Sequence, residues 1–197
     1  MKRLSQIVLV LMAAVMLVGC TGGNEVAEQG DSVQIAKDGS ISSTLVSVLD
    51  QSYYDADELK LMIETEISEV NTTQGEGAVT LDDYKCDSAG NVKVKIKYVN
   101  SDAYTAFNGG TFYSGDAVTA KEIYGLDGNF VDVTDGKITT EDAVISEDAK
   151  IVVLSQNTNV VVPGKIVAIT DNVEITGKKS ASVSLKSEED LAYIAYK

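Results

Sequence analysis

Residues 91–99 read Asn-Val-Lys-Val-Lys-Ile-Lys-Tyr-Val, so that Val92, Val94, Ile96 and Tyr98 alternate strictly with Lys93, Lys95 and Lys97. A period of two places alternate side chains on opposite faces of a pleated strand, and no helix reproduces it. One face must meet a core and the other must meet water, which is the situation of an antiparallel sheet left open on one side. Any fold for this chain has to supply both environments along the same seven residues.

The neighbouring segments supply partners. Ala78 to Cys86 is a second apolar-rich run, joined to the lysine strand by Asp-Ser-Ala-Gly, and Val33 to Lys37 and Ser40 to Leu49 flank an Asp38-Gly39 hairpin signal. Between these pairs, Leu59, Met62, Ile63, Ile67 and Val70 follow the three-and-four spacing of an amphipathic helix. Asp55 suits its N-cap, Glu58 the reciprocal position three residues on, and Tyr54 with Leu59 the two places of a hydrophobic staple. Ser101 to Phe107 predicts a short helix capped by Ser101, and Gly115 to Tyr124 predicts another.

Beyond Gly125, glycine turns alternate with short valine and isoleucine runs. Strands are expected at Lys150 to Ser155, Asn159 to Val162, Lys165 to Ile169 and Val173 to Thr176, and further ones at Ala181 to Leu185 and Leu191 to Tyr196. The only proline, Pro163, precedes Gly164 in a turn between two of them. The predicted class is α+β: one long amphipathic helix packed on a mostly antiparallel sheet, with a β-rich C-terminal half. Residues 32–197 form one domain in this reading, with a division into two lobes near residue 126 as the alternative. Some 166 residues suffice to bury roughly 70% of the unfolded chain's surface without a disulfide.

The front of the chain is of another kind. Lys2 and Arg3 precede an uncharged apolar run from Ile7 to Val18, the pattern of an export signal, which is short of the roughly 20 residues a membrane span needs. It ends in Leu17-Val18-Gly19-Cys20, which resembles the lipobox of bacterial lipoproteins. That resemblance implies cleavage between Gly19 and Cys20, removal of residues 1–19, and lipidation of Cys20, with the acyl chains holding the protein on the membrane. Residues 20–31 then form the lipidated cysteine and a polar, glycine-containing tether of about 18 Å. The implied location is the extracytoplasmic face of the cell membrane.

Residues 20–197 carry 14 basic against 30 acidic side chains, a net charge of −16. Such a surface repels nucleic acid and argues against direct adsorption to anionic lipid headgroups. After Cys20, Cys86 is the only cysteine, so no internal disulfide is expected, and its strand context predicts a half-buried small hydrophobe. The chain has no histidine, which removes serine–histidine triads and histidine-based zinc sites. No Walker loop, Gly-x-Ser-x-Gly or dinucleotide fingerprint occurs. No catalytic residue, metal ligand or cofactor is therefore assigned.

What chemistry remains belongs to carboxylates and tyrosines. Asp55, Asp57, Glu58, Glu64 and Glu66 offer the raw material of a two-carboxylate glycan hydrolase, although capping accounts for Asp55 and Glu58, and Asp57 complements the positive end of the helix dipole. Asp127-Gly-Asn129 and Asp132 with Asp135 offer oxygens without a calcium-loop spacing. Tyr98, Tyr104, Phe107, Phe112, Tyr113 and Tyr124 are read as core residues and their rims. Tyr53, Tyr104 and Tyr113 are kept as candidate ligand-binding positions.

Four segments, Lys37-Asp-Gly-Ser40, Ser52-Tyr-Tyr-Asp-Ala-Asp-Glu-Leu-Lys60, Tyr104-Thr-Ala-Phe-Asn108 and Val162-Pro-Gly-Lys-Ile166, are similar to uncharacterised surface lipoproteins of gut clostridia. The resemblance brings no reaction or ligand. It implies a Gram-positive envelope with the lipid in the outer leaflet of the cytoplasmic membrane. The expected function is non-enzymatic binding or scaffolding at the cell envelope, with an envelope protein or a glycan as partner. A small carboxylate-dependent glycan hydrolase or glycan-binding module is the alternative.

Overall fold

The computed structural model describes residues 30–51, 53–126, 130–133, 138–139, 148–187 and 189–197. Gly19, Cys20, the export signal, most of the tether, and the turns at 127–129 and 134–137 lie outside the described residues. In chain order the elements are β1 Ser32–Ile35, β2 Ile41–Val48, α1 Ala56–Gln74, β3 Val79–Cys86, β4 Asn91–Tyr98, α2 Ser101–Asn108, β5 Phe112–Asp116 and α3 Ala117–Tyr124. They continue with β6 Phe130–Asp132, β7 Ile138–Thr139, β8 Lys150–Leu154, β9 Asn159–Val161, β10 Ile166–Ile169, β11 Val173–Ile175, β12 Ser180–Val183 and β13 Ala192–Tyr196.

The class is α+β, with two sheets. One has seven strands in the order β11-β12-β9-β1-β2-β4-β3, and the other has six in the order β5-β8-β13-β10-β6-β7. Every described pairing is antiparallel except β1 with β9, which is parallel. Both sheets draw strands from either side of residue 126.

The lysine strand takes the place its pattern demands. As β4 it lies between β2 and β3, and Val92, Val94, Ile96 and Tyr98 are all buried. They join Val33, Ile35, Ile41, Val79, Val160 and Ala181 from their own sheet, and Val152, Leu154, Ile166 and Ile194 from the other, in one core. Helices close the part of this core around β3 and β4. Ile63 and Val70 of α1 and Ala103 and Tyr104 of α2 are buried in the same cluster, with Leu59 and Ile67 partly so.

The central strands β8 and β13 of the six-stranded sheet are buried on both faces. Val152 and Leu154 of β8 and Ile194 of β13 point into the shared core, whereas Ile151, Val153, Tyr193 and Ala195 point into a second cluster with Ala117, Ala120, Leu126 and Phe130. This explains the runs Ile-Val-Val-Leu and Ala-Tyr-Ile-Ala-Tyr, which lack polar alternation because neither face meets water.

The helical part is three helices among the described residues, of which α1 is the longest. Asp55 caps α1 as expected, its Oδ1 accepting the N–H groups of Asp57 at 2.8 Å and Glu58 at 3.0 Å. Asp55→Ala should therefore cost about 0.5–2 kcal/mol in a denaturant melt, while a variant indistinguishable from the parent would remove the cap from the account. Three expectations need correcting. The cap of α2 is Asn100, whose Oδ1 accepts the Ala103 N–H at 2.9 Å, while Ser101 Oγ accepts the N–H of Ser114. Gly115 and Asp116 belong to β5 and not to a helix, because that segment pairs with β8 along its whole length. Cys86 is exposed rather than half-buried, since it ends β3 beside the Asp87–Gly90 turn, past the cover of α1.

Candidate functional site

Register builds the most distinctive surface. Ser42 faces Lys97, Thr44 faces Lys95, Val46 faces Lys93, and across β3 Asp83 faces Lys95 and Lys85 faces Lys93. Going the other way, Gln34 faces Ser42 and Val161, Ser32 faces Thr44 and Asn159, and Ser180 and Ser182 of β12 continue the row to Glu174 at the far edge. These residues share the parity opposite to the buried valines and isoleucines, so they form the outer face of the seven-stranded sheet. Apart from the small, buried Ser32 they are half-exposed or exposed. The face is mainly polar, with hydroxyls and amides in its middle and lysines toward β3. A β-bulge between Leu81 and Asp83 brings Asp82 within 2.5 Å of Lys97, and Asp83 lies 2.8 Å from Lys85.

The chain enters this sheet through its centre. Asp31, immediately before β1, accepts the Val46 N–H on Oδ1 at 2.9 Å, and its carbonyl accepts both the N–H and the Nδ2 of Asn159. Burial raises the Asp31 carboxyl above its ordinary value, and the Val46 N–H partly offsets this. β2 leaves the sheet at the same end. Its last residue faces Asn91, Leu49 donates to the Gly90 carbonyl, and α1 is tied there by the bond from the Tyr84 hydroxyl to the Ala56 carbonyl at 2.6 Å. Gly90 suits this crossing, with φ of +82° and Leu49's carbonyl oxygen 2.8 Å from where a Cβ would stand.

The three candidate tyrosines have separate fates. Tyr53, at the end where the tether enters, is 74% exposed, and its ring packs edge-on against Tyr54 at 4.9 Å. Tyr104 is 3% exposed, in contact with the rings of Tyr98 and Phe112, and donates to Gln156 Oε1. Tyr113 is partly buried on the other side of β5, packed against the second core and Tyr124, with its hydroxyl on the Asp116 carbonyl. Tyr104, packed on Phe112 from α2, and Tyr113 thus lie on opposite sides of β5.

The carboxylates of α1 do not form a facing pair with these tyrosines in any described contact. Asp55 is spent on the cap, and Glu64 lies 3.6 Å from Lys60 one helical turn away. Among the described residues no group of three or more acidic or cysteine side chains is placed to hold a metal ion, and no helix is long and apolar enough to cross a membrane. What the outer sheet face and Tyr53 offer is contact area, hydrogen-bonding groups and charge. The alternating lysines made half of this face visible in the sequence, but its hydroxyl half depends on the pairing of β1 with β9 and β12, which leaves no local signal.

No family model matches the chain, and comparison with curated proteins and with solved structures returns no match.

Proposed function

We propose that this is a lipid-anchored protein of the extracytoplasmic face of the cell membrane, acting by binding or scaffolding and not by catalysis. The observation that carries the reading is Leu17-Val18-Gly19-Cys20 at the end of a short apolar run behind Lys2 and Arg3. A polar tether then leads to Asp31, whose hydrogen bonds to Val46 and Asn159 join it to the middle of the seven-stranded sheet. In this reading α1 is the amphipathic helix that seals the open part of the core. The domain presents the polar outer face of the seven-stranded sheet and the exposed Tyr53–Tyr54 pair to an envelope protein or glycan.

Cys20→Ala tests the anchor. In cells fed labelled palmitate the parent protein should incorporate label and fractionate with membranes, and the variant should do neither. Label that persists in the variant sinks the lipid assignment.

A further inference from the structure

We infer that the end of the domain opposite the tether binds a flexible polyanion, a chain of repeated phosphate or carboxylate groups. The inference goes beyond the lipid-anchor reading and does not need it. The polypeptide enters β1 at Asp31, so the opposite end of the seven-stranded sheet lies past Ile35. β9 runs parallel to β1, with Val161 facing Gln34, and β12 begins beside it, with Ser180 facing Val161. Three turns therefore meet at this end: 36–40, 162–165 and 176–179. They carry Lys37, Lys165, Lys178 and Lys179, all exposed, against one acid, Asp38. Backbone hydrogen bonds lock two of the turns together. Val162 donates to the Lys179 carbonyl and Ile166 to that of Lys178, while Lys165 exchanges bonds with Lys197, just past β13. Gly164 has no room for a side chain, since a Cβ there would collide with the Lys197 carbonyl oxygen. A rigid base of this kind lowers the ordering cost of binding.

The turns run against the charge of the whole. Residues 20–197 carry −16, yet four lysines less one aspartate leave these turns at +3. No ion pair among the described residues neutralises any of the four, whereas Lys85 and Lys97 of the outer sheet face are paired. Lys179 donates from Nζ to the Pro163 carbonyl, which fixes its position and keeps its charge. Asp38 spends Oδ1 on the N–H and hydroxyl of Ser40. Glu174 of β11 and Asp148 ahead of β8 flank the patch without entering it. The acid-rich α1 packs on β3, four strands from β9, which is about 19 Å. At physiological ionic strength fields fade over about 8 Å, so a polymer reaching this end meets the lysines and not the helix. Lysine ammonium groups act as point charges toward phosphate or carboxylate. None of the large apolar side chains left exposed among the described residues lies on the three turns. The anchors of a folded protein partner are therefore missing, and cations on separate turns suit a chain that lays successive charges across them.

The test uses the full chain in mild detergent, so that its outcome does not depend on how the protein is anchored. Binding of fluorescent long-chain polyphosphate and of poly-L-glutamate is measured at about 0.15 M salt. At least one should bind, and the two arms tell a phosphate polymer from a carboxylate polymer. The double variant Lys165→Gln and Lys178→Gln should bind about tenfold more weakly, the loss of two exposed charge pairs, and high salt should abolish binding in the parent. The double variant Lys60→Gln and Lys186→Gln changes the net charge equally but lies on α1 and the β12–β13 loop, and it should bind as the parent does. Both variants should unfold at the parent's temperature. Acylation of lysines followed by mass spectrometry reads the unmodified chain: bound polymer should slow Lys165 and Lys178 and leave Lys60 and Lys186 unchanged. Failure of both polymers to bind overturns the inference. Equal losses in the two variants, or equal protection of all four lysines, overturns the patch by reducing the binding to attraction without a place.

Discussion

Tyr98→Ala is expected to destabilise the domain by about 3–5 kcal/mol, the range for deleting a buried aromatic ring. Tyr98 is the largest fully buried side chain on the lysine strand, 1% exposed, with the rings of Tyr104 and Phe107 at 4.9 and 5.9 Å. Its hydroxyl is equally enclosed. Asn108 donates to it from Nδ2 at 3.1 Å while also donating to the Tyr104 carbonyl, and Ser43 Oγ lies at 3.1 Å. Truncation removes the ring and strips partners from two buried polar side chains.

Tyr98→Phe separates these contributions. The ring packing stays, so the cost should fall to about 1–3 kcal/mol, the range for leaving a buried donor unsatisfied. The pH dependence supplies a second readout. Burial pushes the Tyr98 phenol up to about 12, against hydrogen bonds from Ser43 and Asn108 that pull it down. A group whose neutral form is favoured by folding holds its proton in the folded state after the unfolded chain has lost it. Its contribution is therefore complete below about pH 10 and fades as the pH rises toward 12. Alkaline destabilisation should be weaker in Tyr98→Phe than in the parent, although Tyr104, raised by burial in the same way, keeps it from vanishing. Equal stability of Tyr98→Phe and Tyr98→Ala would remove the ring from the core argument.

The strand carrying Tyr98 is fully legible in the sequence, because its signal is local: three lysines at period two define both faces and the boundaries. The hairpin of β1 and β2 was legible for the same reason, its Asp38-Gly39 turn showing a positive φ of 87° at Gly39. β5 was not, since Phe-Tyr-Ser-Gly-Asp has no alternation and acquires its strand character only from pairing with β8. The parallel pairing of β1 with β9 joins residues more than 120 positions apart, and no turn connects them to leave a signature. Tyr104 and Tyr113 show the same limit at the level of sites. Composition marks them both as aromatic, but only the six-stranded sheet decides that one is enclosed and that the other faces the opposite cluster.

Ile194→Ala should cost about 2–5 kcal/mol, and the shape of its unfolding curve matters as much as the size. Ile194 is fully buried at the centre of β13, with β8 on one side and β10 on the other. Its side chain belongs to the core shared with Val33, Val94 and Ile96, while its neighbours Tyr193 and Ala195 belong to the second core. Strand β13 thus couples three layers: the seven-stranded sheet, the six-stranded sheet, and α3 behind it. A cavity there should weaken the lysine strand and the valine-rich C-terminal strands together. We expect one transition, with far-ultraviolet ellipticity and tyrosine fluorescence changing at the same denaturant concentration in parent and variant, as in a two-state domain. Two lobes divided near residue 126 would respond otherwise. The variant's curve would split, with one phase moving and the other staying at the parent's midpoint. A split curve would defeat the single cooperative core, because a strand whose alternate side chains fill both clusters cannot lose one of them while its sheet stays intact.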